Sequence, residues 1–265
     1  VNGLMKKFSR LFLAVLMVFA LIFTAVGCGG PTEVGEQDQN QSQVLRVGTN
    51  ASFPPFEMQE SGEFLGFDMD LIRAIGEEQG FTVEIKHMDF KALIPALGND
   101  KIDAAIAGMS IRPDRQESVD FTEPYFDAGL IIAVRNNNDT IKSTEDLKGK
   151  KLAAQNGTTG AAYCDSVKKQ DPSTVVRIFD DIGAAFMELE KGGVDAVVND
   201  LPVTAWYLKE KESTNVKMVG EVFSADEQYG IAVKKGNQEM LDMLNEGLQK
   251  IRDNGKYDEI YNKWF

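Results

Sequence analysis

Arg115 lies five residues past Ser110 and seven past Gly108, just after the apolar run Ile102–Ile106, which reads as a buried strand. Pro113 suits the first turn of a helix, so Arg115 falls near the start of the element that follows. Gly108 and Ser110 then sit where a strand leaves its sheet, the end at which open α/β sheets hold ligands. Backbone N–H groups, a hydroxyl and a guanidinium converging there suit a carboxylate, which arginine grips bidentately. The plain alternative is that Arg115 is an exposed helix residue. A second strand-like run, Val194–Val198, ends in Asn199 and Asp200. A third feature, Gln155–Gly160, is a loop of small residues before a helix, and such a loop presents N–H groups to an anion. It is not a Walker phosphate loop, because no Gly-Lys-Ser/Thr follows.

The elements that would position these groups alternate along the chain. Val44–Thr49 reads as a strand, and Asn50–Glu57, with Pro54 and Pro55, as a stiff loop presenting an aromatic. A helix starts near Gly66, with Asp68 as its N-cap and Met69, Ile72 and Ile75 on one face. Phe81–Ile85 reads as a strand, Leu93–Leu97 as helical, and Val119–Phe126 as a loop entering a strand over Ala128–Val134. The chain then restarts: a strand near Leu152, a helix from Ala161 with Lys168 and Lys169 late, a strand over Val175–Phe179 and a helix over Ile182–Lys191. This alternation predicts parallel sheets with helices on their faces. Two such lobes facing each other would bring both polar strand ends into one cleft.

Composition excludes several chemistries. With two cysteines and one histidine, the chain has no pattern for a metal site, a disulfide framework or a Ser-His-Asp triad. His87 reads as an ordinary residue at the end of a strand. A formal charge of −13 argues against nucleic acid as a partner. At the N-terminus, Lys6, Lys7 and Arg10 precede an apolar run, Leu11–Phe23, the shape of a secretory signal peptide. Thr24-Ala25-Val26-Gly27-Cys28 resembles the lipobox of bacterial lipoproteins, with Ala25 where Leu is commonest; that resemblance implies cleavage over 1–27 and a lipid on Cys28. The uncleaved alternative, a membrane-spanning helix, needs about twenty apolar residues. Met5 is an alternative start to Val1. Residues 28–43 are polar and read as a flexible tether.

Several motifs in order carry a specific resemblance. Phe53-x-Pro55-Phe56-Glu57, Gly66-Phe67-Asp68-x-Asp70-Leu71, Asp89-Phe90, Leu93–Leu97, Asp120-Phe121-Thr122-x-Pro124-Tyr125, Gly157–Gly160, Asp195-Ala196-Val197-Val198-x-Asp200 and Gly255–Tyr261 are similar to those of the polar amino-acid-binding proteins of ABC importers, solute-binding family 3, glutamine type. The resemblance implies an α/β fold of two Rossmann-like lobes joined by two hinge strands, a periplasmic-binding-protein fold of type II. Lobe one would span 44–127 and 228–265, and lobe two 128–227. The C-terminal segment with Tyr257, Ile260, Tyr261, Trp264 and Phe265 would pack on lobe one. It implies a binding protein, not an enzyme, without cofactor or metal. The protein would be extracytoplasmic and monomeric. It would deliver a free L-amino acid to a membrane permease and its ATPase.

By the same resemblance, Arg115 would hold the ligand's α-carboxylate, helped by donors around Ser110 and Thr159. Gly108, through its carbonyl, and Asp200 would accept from the ammonium. Phe53 and Phe90 would sandwich the aliphatic stem. The chemistry is consistent, because a zwitterion needs one fixed cation and one fixed anion. Asn50, Gln155, Thr158 and Asn199 would face the side chain. Asn50 is neutral and offers both a donor and an acceptor, which suits a side-chain amide and favours glutamine over asparagine, whose stem is shorter. The alternative is a basic amino acid, which on this reading lacks a matching carboxylate and has only cation–π contact. An acidic ligand would need an extra cation, for which Arg112 is the neighbour. A periplasmic dehydratase on the same fold would need a further acid in the cleft, and Glu57 is the residue near enough. A receptor's sensor module would need a membrane helix and effector after Phe265.

Overall fold

The computed structural model describes residues 43–211, 214–224 and 227–265. The leader, Cys28 and the tether as far as residue 42 lie outside the described residues.

The first strand, β1 (Gln43–Thr49), buries Leu45 and Val47. Beyond Asn50 the expected loop is instead a small antiparallel sheet of β2 (Ser52–Phe53), β3 (Glu57–Glu60) and β4 (Glu63–Leu65). Phe53 pairs with Glu57 across it, and the two prolines make the turn between them. The helix α1 (Phe67–Gln79) buries Met69, Ile72 and Ile75, as their spacing predicts. Its N-cap is Gly66 and not Asp68. Gly66 has φ 130°, and a Cβ there would stand 2.1 Å from the Phe56 carbonyl oxygen, so only glycine fits. Asp68 lies two residues further on, in the first turn, fully buried, and bonds to distant parts of the chain instead of to its own helix end.

The chain continues through β5 (Phe81–His87), α2 (Leu93–Gly98) and β6 (Ala104–Ala105). The apolar run around β6 is fully buried, but the ladder is confined to its two alanines. His87 closes β5, where its Nδ1 accepts the Ala51 N–H at 3.1 Å. Then come α3 (Pro113–Gln116), β7 (Val119–Phe121) and β8 (Phe126–Asp127). The second lobe comprises β9 (Leu130–Arg135), β10 (Lys151–Gln155), α4 (Thr159–Gln170), β11 (Val175–Phe179), α5 (Ile182–Glu190), β12 (Ala196–Asp200), α6 (Leu201–Glu210) and β13 (Val216–Phe223). The chain returns through β14 (Gln228–Tyr229) and β15 (Ala232–Lys234) to α7 (Gln238–Asp253) and α8 (Lys256–Trp264).

Two five-stranded sheets result, ordered β5-β1-β6-β15-β7 and β11-β10-β12-β9-β13. Neither is purely parallel. β15 runs antiparallel to β6 and β7, and β9 runs antiparallel to β12 and β13. The cause is the hinge. β8 pairs with β14 between the lobes, and the chain leads from β8 into β9 and from β14 into β15 without a crossover helix. A strand entering from the hinge must oppose strands that end there, because a parallel neighbour needs a crossover connection. Val119–Phe121, expected as loop, pairs with β15 at the sheet edge for the same reason.

The last helix returns to the first lobe. The ring of Phe265 lies 5.5 Å from Phe56 and 5.0 Å from Phe126, and Trp264 Nε1 donates to Asp70 at 2.8 Å.

Candidate functional site

A cleft lined by residues of both lobes lies where β1, β6, β10 and β12 end. Arg115 lines it from the short helix α3 and is buried at 6% exposure. It is no surface residue. Its Nη1 donates to the Ser110 carbonyl at 2.7 Å, and its Nη2 crosses to the Gly157 carbonyl at 3.0 Å. Burial, then the charge of Arg112, pulls the guanidinium down to about 10, which leaves it charged at neutral pH. Its Cζ stands 5.3 Å from the centre of the Phe90 ring. Phe90 and Phe53 both line the cleft, from the turn before α2 and from β2.

The two lobes are bonded to each other around this space. Ser110 Oγ and Thr159 Oγ1 are 3.0 Å apart, and the Ser110 hydroxyl also donates to Glu227. Gln155 Nε2 donates to Asn50 Oδ1 at 2.8 Å, joining two neutral amides over a separation of 105 residues. At the exposed rim, Lys91 meets Asp180 at 3.2 Å. Asp200 ends β12 and lines the cleft as a fully enclosed carboxylate that accepts the Tyr229 hydroxyl. It makes no side-chain cap to α6. Burial, then the charge of Glu227, raises its pKa well above the usual carboxylate range.

Gly108 lines the same space with φ 52°. Its N–H donates to Asp68 Oδ2 at 2.8 Å, and Phe53 ring atoms would sit 3.1 Å from any Cβ added there. Thr158 borders the cleft, but its hydroxyl is used locally: it donates to the Gln155 carbonyl at 2.8 Å and accepts from the Ala161 N–H to cap α4. Asn199 is not brought into the cleft. Alternation along β12 turns it into the second lobe, where Nδ2 meets Thr204 Oγ1 at 3.3 Å.

Glu57 holds a place in the cleft that its sequence spacing does not mark. It is fully buried and meets no N–H donor or cation, its one hydrogen-bonding neighbour being another acid, Asp68. The sequence singled it out only as the acid that a catalytic reading would require. Its pairing with Phe53 is the signal that a strand reading of Asn50–Glu57 would have supplied. Burial, then the neighbouring Asp68, pushes its pKa well above the usual range. Burial likewise raises Asp68 to about 6, against the hydrogen bonds from Gly108, Glu57 and Tyr125 that pull it down. The cleft therefore combines one guanidinium with two buried carboxyl groups, Glu57 and Asp200, and a third, Asp68, is bonded to Glu57. Cys164 is far from this chemistry, buried in the second lobe with its thiol pushed up to about 12. Among the described residues no cluster of His, Cys, Asp and Glu could hold a metal ion.

Residues 45–265 match the sequence profile of the bacterial extracellular solute-binding proteins, family 3. The chain belongs to this family. It is 36% identical to a probable histidine-binding protein of Neisseria gonorrhoeae, over 98% of this chain and 96% of that protein. It is 34% identical to an ABC transporter glutamine-binding protein of Bacillus subtilis, over 98% of this chain and 97% of that one. A solved structure of an ancestral arginine-binding protein bound to arginine superposes with a TM-score of 0.81. It is 49% identical to this chain, with 84% of this chain and 98% of that chain covered. Two lobes around a cleft, joined by two hinge strands, are thus the family-3 architecture in this chain.

Proposed function

We propose that this family-3 protein captures a free L-amino acid with a cationic side chain and delivers it to an ABC permease. The observation that carries the reading is the acidic excess of the cleft, above all the buried Glu57 carboxyl, which faces another acid, Asp68, and no cation. Buried charge needs a partner of opposite sign. In the proposed complex Arg115, Ser110 and Thr159 take the α-carboxylate, and Asp200 with the Gly108 carbonyl takes the ammonium. Phe53 and Phe90 flank the stem. Glu57 answers the objection that a basic ligand would find no carboxylate. The arginine- and histidine-binding names among the relatives agree with this choice.

Glutamine is the second reading, favoured by the Asn50–Gln155 amide pair, which a ligand amide could enter. A thermal-shift screen against the common amino acids tests both, because a ligand that binds only the folded state raises Tm. Arginine, lysine or histidine giving the largest shifts supports the main reading. A shift with glutamine but none with the basic amino acids overturns it.

Anchoring through a lipid on Cys28 is proposed from the lipobox resemblance. Cys28→Ala should then move the protein from the membrane fraction to the soluble one, and equal membrane retention of the variant refutes it.

A further inference from the structure

Glu57 on the floor of the cleft stands beside a second buried carboxyl group, Asp68. Glu57 is on β3; Asp68 is in the first turn of α1. The two elements are pressed together at Gly66, with the Asp68 N–H donating to the Phe56 carbonyl at 2.9 Å. Asp68 Oδ2 accepts from both the Gly108 N–H and the Tyr125 hydroxyl, each at 2.8 Å. No N–H donor or cation reaches its Oδ1 or either oxygen of Glu57, and the two carboxyl groups are hydrogen-bonded to each other, which requires a proton on one of them. Two donors hold negative charge on Asp68, and a like charge beside it is unfavourable. A proton on the pair therefore resides on Glu57.

The other ionisable groups facing this pair do not change that assignment. Asp200 and Glu227 are further acids, Tyr125 and Tyr229 are neutral donors, and Arg115 is committed to the carbonyls of Ser110 and Gly157.

We propose that Glu57 is the charge selector of the cleft: it is protonated in the ligand-free protein and with a neutral amino acid, and it surrenders that proton when a cationic side chain binds. The Glu57 O–H bond breaks, the proton passes to the solvent buffer, and the carboxylate keeps the electron pair opposite the ligand's charge. With a neutral amide ligand the proton stays and the Glu57 hydroxyl donates to the amide oxygen. The upward shift that burial and Asp68 impose on Glu57 is in the required direction. The inference rests on the amino-acid-capture reading and adds to it a means by which one cleft distinguishes charge.

Calorimetry with arginine and with glutamine, each in two buffers of different ionisation enthalpy at pH 7, counts the protons released. Any contribution of Asp200 to ammonium binding is common to both ligands and cancels in the difference. The expected result is about one more proton released with arginine than with glutamine, a difference that Glu57→Gln abolishes while weakening arginine about tenfold or more. Gln is isosteric with the protonated acid, so the variant keeps the fold. Infrared difference spectra of the ligand-free proteins read the same proton without any ligand: a protonated-carboxyl band present in the wild type and lost in Glu57→Gln. Equal proton counts for the two ligands, or no such band, overturns the inference. Failure of arginine, lysine, histidine and glutamine alike to bind would refute the amino-acid-capture reading, and the infrared band would still decide the protonation of Glu57.

Discussion

The wall of the cleft that holds Arg115 and the floor that holds Glu57 are built on opposite terms. At the wall the cation and the hydroxyls already have partners, although Gln155 Oε1 and Glu227 Oε2 have none. Arg115 spans two backbone carbonyls from different lobes, Ser110 bridges Thr159 and Glu227, and Gln155 is bonded to Asn50. At the floor, the buried Glu57 carboxyl lines the cavity with no N–H donor or cation, beside the second buried acid Asp68. The wall is pre-organised: a ligand carboxylate finds a cation whose position is already fixed, which reduces the entropy lost on binding. The floor is poised and must change its protonation or gain a cation. Ligand contacts divided between lobes also favour the closed arrangement, the state a permease would read.

Removing the fixed cation should have the largest effect. Arg115→Ala is expected to weaken binding of every amino acid ligand by about 2 kcal/mol or more, because the ligand's carboxylate is left buried and unpaired. Calorimetry beside circular dichroism checks this, and unchanged affinity with an intact fold would remove Arg115 from the wall.

The next effect separates floor from wall by pH. Asp68 is raised to about 6, and Glu57 and Asp200 are raised as well, burial being the first cause in each. A carboxyl with a raised folded-state pKa holds its proton more tightly folded than unfolded. Its contribution to stability is complete below the unfolded value near 3.8 and is lost as pH rises through about 6 and beyond. Surface acids such as Asp120, lowered by Lys235, act in the opposite sense and only below that window. The Tm of the ligand-free protein should therefore fall between about pH 4 and pH 8. Asp68→Asn should flatten the fall, and an identical slope in the variant would count against the floor as its source.

Asn50→Asp changes the wall without touching the floor. It should favour arginine over glutamine, by several-fold in the ratio of their dissociation constants, since a carboxylate replaces a neutral amide. A ratio unchanged in competition titrations would show that Asn50 does not meet the ligand's side chain.

The smallest effect belongs to the rim. Lys91 and Asp180 bridge the lobes, but their side chains are 50% and 65% exposed. Solvent and salt screen such a pair. Asp180→Ala should leave both affinity and Tm unchanged within error at physiological ionic strength, and a clear loss would make the rim part of the closing mechanism.

Local pattern determined much of this protein. The apolar spacing of Met69, Ile72 and Ile75 marked α1, Pro113 marked the start of α3, and the buried runs around Ala104 and Val197 marked the central strands, since periodicity and turn chemistry act over a few residues. It also marked Arg115, Ser110 and Asp200 as polar groups at strand ends. What it could not supply depends on contacts between residues distant in sequence. Asp68 has the appearance of an N-cap, yet its partners are Gly108 and Tyr125, 40 and 57 residues away. Asn199 and Asp200 are adjacent, but the pleat of β12 sends one into the lobe and the other into the cleft. The antiparallel β9 and β15 follow from where the chain crosses the hinge, which no single strand encodes. Whether Glu57 is an exposed loop acid or a buried one that meets no cation was decided only when β3 paired with β2 beneath α1, because desolvation is a property of the surroundings and not of the residue.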